Sequence, residues 1–210
     1  MPDNFIEIMK PFGPSVARTK IPDEMIKKIN DYVDKIIEDK KKSEALDHGK
    51  SLAGNVTQEF ELEKEFIKEI KWGEFLGNSV RSWIAETRKK KITKFNLISS
   101  WVVRQFENEY NPVHWHGGHV SGVGYLKVPN ILAAPKTKKD ENNGMIELLH
   151  GSKMFLSDSH LKIKPTVGSF YFFPNYLMHT VYPFKNTKEE RRSISFNATI
   201  DNDIYDVYTL

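Results

Sequence analysis

His114-Trp115-His116-Gly117-Gly118-His119 is the stretch on which the reading of this chain turns. In a β-strand, residues i and i+2 project to one face, so an extended backbone here aims His114 and His116 the same way. Pro112 lies just before the pair, and Gly117-Gly118 removes side-chain bulk just after it. Taken alone, the pattern also fits a hairpin whose histidines pack or form hydrogen bonds. A later segment shifts the balance. Val167-Gly168-Ser169-Phe170-Tyr171-Phe172-Phe173-Pro174 reads as an aromatic strand ending in a turn, and His179 opens the next strand. A β-barrel can bring that position opposite the histidine pair, so that His114, His116 and His179 share one face of a metal ion.

Working outward, everything from residue 95 on reads as β. Candidate strands are 95–107, 121–128, 144–149, 169–173, 179–182 and 191–200, separated by Pro and Gly punctuation at 111–112, 117–118, 129, 164–165 and 182–183. Short strands at this spacing predict an antiparallel sandwich or jelly roll. Residues 133–143 read as a charged hairpin loop or insertion. Before residue 95 the periodicity is helical. Pro22-Asp23-Glu24 starts a helix in which Met25, Ile29, Tyr32, Val33, Ile36 and Ile37 recur at helical spacing. A second helical region covers 62–87, with Gly73 and Gly77 expected to break or kink it, and 43–58 reads as a loop. The expected fold is mainly β with an α-helical N-terminal part. Residues 1–94 form a helical region packed on a core of residues 95–210, the two making one integrated domain.

The chain of 210 residues is long enough for one well-packed core. At 39% hydrophobic and 28% charged residues it reads as globular rather than disordered. The runs Lys40-Lys41-Lys42 and Arg88-Lys89-Lys90-Lys91 have acidic neighbours and the net charge is +3, which describes solvated helix faces rather than a nucleic-acid patch. With no cysteine, disulfides, thiolate metal sites and a cysteine nucleophile are excluded. The composition is compatible with a cytoplasmic setting, and no apolar run is long enough to cross a membrane.

Of the remaining histidines, His48 and His160 sit in polar context and His150 in a surface turn, while His119 is an alternative ligand should His114 point away. Three neutral imidazoles suit Zn, Fe, Cu or Ni, so ligand type does not select the metal. The common facial triad for iron has a carboxylate, and 114–120 contains none. A dianionic chelating ligand would offset the missing charge. Arg191-Arg192-Ser193-Ile194-Ser195-Phe196-Asn197 alternates, with Arg191, Ser193, Ser195 and Asn197 on one face. That face is either the solvent side of an edge strand or the polar wall of a pocket, where Arg191 and Ser193 could hold a carboxylate. Trp101, Trp115 and Tyr125 either line such a pocket or pack in the core.

Together, His114-x-His116, the run 121–129, Phe173-Pro174 with His179, and Arg191-x-Ser193-Ile194-Ser195-Phe196-Asn197 resemble the 2-oxoglutarate/Fe(II) oxygenases of marine bacteria and phages, relatives of the prolyl 4-hydroxylase-like oxygenases. The resemblance spans roughly 95–200. It implies a double-stranded β-helix core flanked by helices, and Fe(II) held by His114, His116 and His179. It further implies that Arg191, with Ser193 and Tyr125, binds the distal carboxylate of the co-substrate 2-oxoglutarate, and that O₂ is the oxidant. Position 116 departs from the wider superfamily, which carries a carboxylate there. The implied reaction couples oxidative decarboxylation of 2-oxoglutarate to hydroxylation of a peptide or small molecule. Two other readings are a cupin-type metalloprotein, echoed by Gly168, Pro174 and His179, and a non-enzymatic jelly-roll binding module. Neither the primary substrate nor the oligomeric state is legible.

Overall fold

Helix α1 (Asp23–Glu38) forms where its ends are electrostatically suited: Asp23 and Glu24 lie in the first turn and Lys35 in the last. Its buried side is Ile26, Ile29, Val33 and Ile36. The computed structural model describes residues 12–49, 54–133 and 142–208. Asp39 accepts from the backbone N–H of Lys42 at 3.1 Å and caps α2 (Lys40–Leu46), so the expected loop from 43 begins as helix. The second helical region divides into α3 (Lys64–Glu69) and α4 (Trp72–Arg88). The break is at Lys71, whose φ is 55°, and not at Gly73 or Gly77, which lie inside α4. Gly77 serves packing instead: a Cβ there would sit 3.2 Å from the Phe95 ring. The turn at Lys71 delivers Trp72 into the core, where its Nε1 donates to Ser100 Oγ at 3.0 Å.

The strands are β1 (Ala17–Lys20), β2 (Gln58–Glu61), β3 (Phe95–Gln105), β4 (Asn111–His114), β5 (Val120–Lys127), β6 (Ile146–Leu149), β7 (His160–Ile163), β8 (Ser169–Pro174), β9 (Met178–Val181) and β10 (Arg191–Ile200). Short helices α5 (Asn130–Ala133) and α6 (Asn202–Tyr205) complete the described elements. The expected 133–143 insertion falls largely outside the described residues. Among the described residues every strand pairing is antiparallel, and the fold is mostly β with helices. One sheet has six strands in the order β1-β8-β5-β10-β3-β2, the other four in the order β4-β9-β6-β7. The first third of the chain therefore supplies both edges of the larger sheet, two strands that the helical reading did not contain.

Cross-strand register sorts the larger sheet into two faces. Phe60, Val102, Ile194, Phe196, Phe170 and Phe172 form a core with α1, α3 and α4. Gly122 and Gly124 of β5 lie on this face, where a Cβ at Gly124 would come within 2.3 Å of Phe170. The opposite face carries Val123 and Phe173, which pack on Ile146, Leu148 and Val181 of the smaller sheet. That inner face also carries Arg191, Ser193 and Ser195. Strand β10 is central and Arg191 is 2% exposed, so the solvent-edge reading of this strand is overturned.

Candidate metal centre

Strand β4 ends at His114, which sits directly opposite His179 of β9. His116 lies beyond the end of the strand rather than within it. Its backbone N–H donates to Asn175 O and its carbonyl accepts from Asn175 Nδ2, both at 3.1 Å, which pins the loop beside β9. The expected i, i+2 geometry is thus replaced by a clamp between two loops, with the same outcome: the ligand-capable nitrogens of His114, His116 and His179 all lie within 4.8 Å of one another.

These imidazoles are suited to a metal in three ways. His114 Nδ1 lies 2.7 Å from Pro112 O, and His179 Nδ1 2.9 Å from Leu177 O. A carbonyl can only accept, so both Nδ1 atoms carry the proton and each Nε2 presents a lone pair. The Nε2 atoms of His116 and His179 are 3.1 Å apart. Nitrogens about 2.1 Å from one shared ion lie roughly 3 Å from each other. Burial, and the neighbouring imidazoles, hold His116 at about 3 and His179 at about 4, so both are neutral near pH 7. His119 lies elsewhere: its Nδ1 accepts from Ile200 N–H at 3.1 Å and its ring stacks on Tyr205 at 3.8 Å.

The cavity beside the triad is lined by Val103, Asn111, Phe173 and Val181, and by Arg191 and Ser193 on its far wall. Trp101 also lines it, 5.6 Å from the His116 ring, whereas Trp115 is 65% exposed and faces away. The Arg191 guanidinium lies 5.3 Å over the Tyr125 ring and donates through Nη1 to Gln105 Oε1. Among the described residues its Nε and the Tyr125 hydroxyl, both buried, have no hydrogen-bond partner. Burial lowers the Arg191 pKa and raises that of Tyr125. A guanidinium so enclosed, with a neutral amide as its hydrogen-bonded neighbour, is stabilised by an anion entering the cavity. Gln105 went unnoticed in the sequence, although it shares strand parity with Trp101 and Val103. Its Nε2 donates to Glu109 O, which leaves Oε1 turned to Arg191.

Residues 99–197 match a family model described as "Putative 2OG-Fe(II) oxygenase". No curated protein matches the sequence. Among solved structures, the chain is similar to a Pseudomonas putida prolyl-4-hydroxylase at 12% identity, with 87% of this chain and 91% of that one covered and a TM-score of 0.55. It is similar to the viral collagen prolyl hydroxylase of Paramecium Bursaria Chlorella virus-1, solved as a 2OG complex, at 16% identity, 87% and 94% coverage and a TM-score of 0.52. A prolyl hydroxylase of Trichoplax adhaerens, in complex with a hypoxia inducible factor peptide fragment, matches at 14% identity, 94% and 88% coverage and a TM-score of 0.52. The matched residues hold the triad, the buried arginine and the strands that join them. Residues 99–197 are thus similar to the 2-oxoglutarate/Fe(II) oxygenases, and the chain has a fold of the prolyl 4-hydroxylase-like type.

Proposed function

We propose that His114, His116 and His179 hold the Fe(II) of this dioxygenase, and that Arg191, flanked by Ser193 and Tyr125, binds the distal carboxylate of 2-oxoglutarate. The observation that carries this is a single cavity with an imidazole triad on one wall and a buried guanidinium, lacking a carboxylate, on another. When bound, the iron supplies the redox chemistry that couples O₂ and 2-oxoglutarate decarboxylation, to succinate and CO₂, with hydroxylation of a substrate C–H bond. The residues do the rest. His116 and His179 offer their lone pairs without first losing protons. Arg191 supplies charge and the Tyr125 hydroxyl a hydrogen bond, so the dicarboxylate is oriented along the cavity. Val103, Phe173 and Val181 keep water from its walls.

The two facing sheets are read as a double-stranded β-helix, with residues 1–94 and 95–210 as one integrated domain. A peptide or small molecule is the substrate class; the Trichoplax neighbour with its bound peptide supports the former. A buried Arg191 in the same cavity as the triad, its Nε without a partner among the described residues, favours this reading over a cupin-type protein or a binding module. Succinate release from 2-oxoglutarate under air with Fe(II) tests the assignment. His179→Ala is expected to lose stoichiometric metal binding and turnover together, and undiminished turnover would remove His179 from the ligand set.

A further inference from the structure

We propose that Gln105 is the residue that keeps Arg191 available to a carboxylate. It orients the guanidinium without neutralising it, and so sets how strongly the site prefers a co-substrate with a charged tail over one with a neutral tail. This rests on the oxygenase reading above and adds to it a specificity-determining residue that touches no ligand itself.

Register brings the two side chains together. Arg191 of β10 pairs directly with Gln105, the last residue of β3, and residues paired in this way share a face. Gln105 is 1% exposed, and its Oε1 accepts from Arg191 Nη1. The other end of the amide is committed elsewhere. Its Nε2 donates to Glu109 O and, at 3.4 Å, to Tyr182 O. A carbonyl only accepts and a guanidinium only donates, so the amide fits in one orientation. Reversed, it would set an oxygen against two carbonyls and an N–H against an N–H. Glu109 is fixed in turn, its Oε2 accepting from the Phe106 backbone N–H at 2.8 Å. Gln105 is thus anchored from behind, and it anchors a guanidinium whose central carbon lies 5.3 Å over the Tyr125 ring.

Charge gives the choice of an amide its meaning. Two other arginines of the same sheet meet carboxylates. Arg192, buried on the opposite face of β10, reaches Asp34 and Glu190, both at 2.7 Å, and Arg104 reaches Glu190 at 3.0 Å. Arg191, also buried, meets glutamine, the neutral isostere of glutamate. A glutamate at 105 would carry a negative charge to within hydrogen-bond reach of the guanidinium, and the pair would neutralise itself before any ligand arrived. The amide supplies the hydrogen bond and leaves the positive charge to the cavity that Arg191 lines. In an enclosed site water screens that charge poorly, so it discriminates between a carboxylate and a neutral group of similar size.

The test uses the full chain loaded anaerobically with Fe(II) and titrated by calorimetry with 2-oxoglutarate and with 2-oxohexanoate, whose tail is neutral. The wild type is expected to bind 2-oxoglutarate at least about tenfold tighter than 2-oxohexanoate. In Gln105→Glu that ratio is expected to shrink about tenfold, with 2-oxohexanoate affinity within about threefold of wild type, a selectivity that a merely structural role would not produce. Gln105→Met, which removes the hydrogen bonds and adds no charge, is expected to weaken 2-oxoglutarate about threefold and to spare 2-oxohexanoate. Circular dichroism reads the folding of each variant. An undiminished ratio in folded Gln105→Glu, including an equal loss of both affinities, overturns the proposal. Where that variant does not fold, unchanged 2-oxoglutarate affinity in Gln105→Met overturns it, and failure of both to fold makes Gln105 a structural residue and overturns it too. A wild type that binds both acids alike counts against Arg191 as the carboxylate clamp and takes the proposal with it. A wild-type preference that Gln105→Glu retains counts against Gln105 alone.

Discussion

At the scale of single residues, the inner face of the larger sheet places binding chemistry where packing alone would favour apolar groups. Arg191 is buried with one nitrogen unsatisfied, so replacing it should help the empty protein and harm the loaded one. Arg191→Met is expected to raise the stability of the metal-free protein by about 1–3 kcal/mol. The same change should weaken 2-oxoglutarate binding by roughly tenfold to a hundredfold; thermal unfolding and calorimetric titration read the two effects. Glu59 gives a pH signature. Burial and the Asp47 charge raise its folded pKa to about 7, above the ordinary 4.5, so ionisation favours unfolding, and stability is lost as pH rises from about 4.5 through 7. Over that window the wild type should lose up to about 3 kcal/mol relative to Glu59→Gln, measured by denaturant unfolding at several pH values. Parity along 191–197 sufficed to put Arg191 and Ser193 on one face. Crowding drew attention to His114 and His116, and the aromatic strand before it to His179. Gln105 was illegible because its meaning comes from cross-strand register, which the local sequence does not hold.

At the scale of elements, long strands and the amphipathic α1 announced themselves, while the four-residue strands β1, β2 and β7 did not. Ala17–Lys20 and Gln58–Glu61 are strands because β8 and β3 offer them edges, a tertiary cause with little local trace. The break between α3 and α4 was misplaced for a related reason. Gly73 and Gly77 are compatible with a helix at modest cost, and Lys71 turns because Trp72 must reach the core. The glycines of β5 have a stricter role, since their bare backbone is the floor on which Phe170 and Phe196 pack. Gly124→Ala is expected to cost about 1–3 kcal/mol from overpacking, seen as a lowered Tm with metal binding retained in the folded fraction.

At the scale of the whole molecule, helices and sheets are joined through charge as well as apolar packing. Arg192, on the opposite face of β10 from Arg191, donates to Asp34 of α1 at 2.7 Å and to Glu190 at 2.7 Å, and Glu190 also accepts from Arg104 at 3.0 Å. Asp34→Ala leaves Arg192 enclosed with one fewer carboxylate and is expected to cost about 1–3 kcal/mol. With both edges of the larger sheet drawn from the first third of the chain, that loss should lower a single calorimetric transition rather than split it in two. The same arrangement imposes an order in time. Ala17 has its partner in Phe172, and Phe60 in Val102, so as the polypeptide emerges during synthesis the early edge segments precede the strands that will receive them. Until β8 is delivered, β1 has nothing to dock on. Docking of β1 on β8 is then a long-range closure, slow to form, and until it happens the β8 edge stands open to other chains.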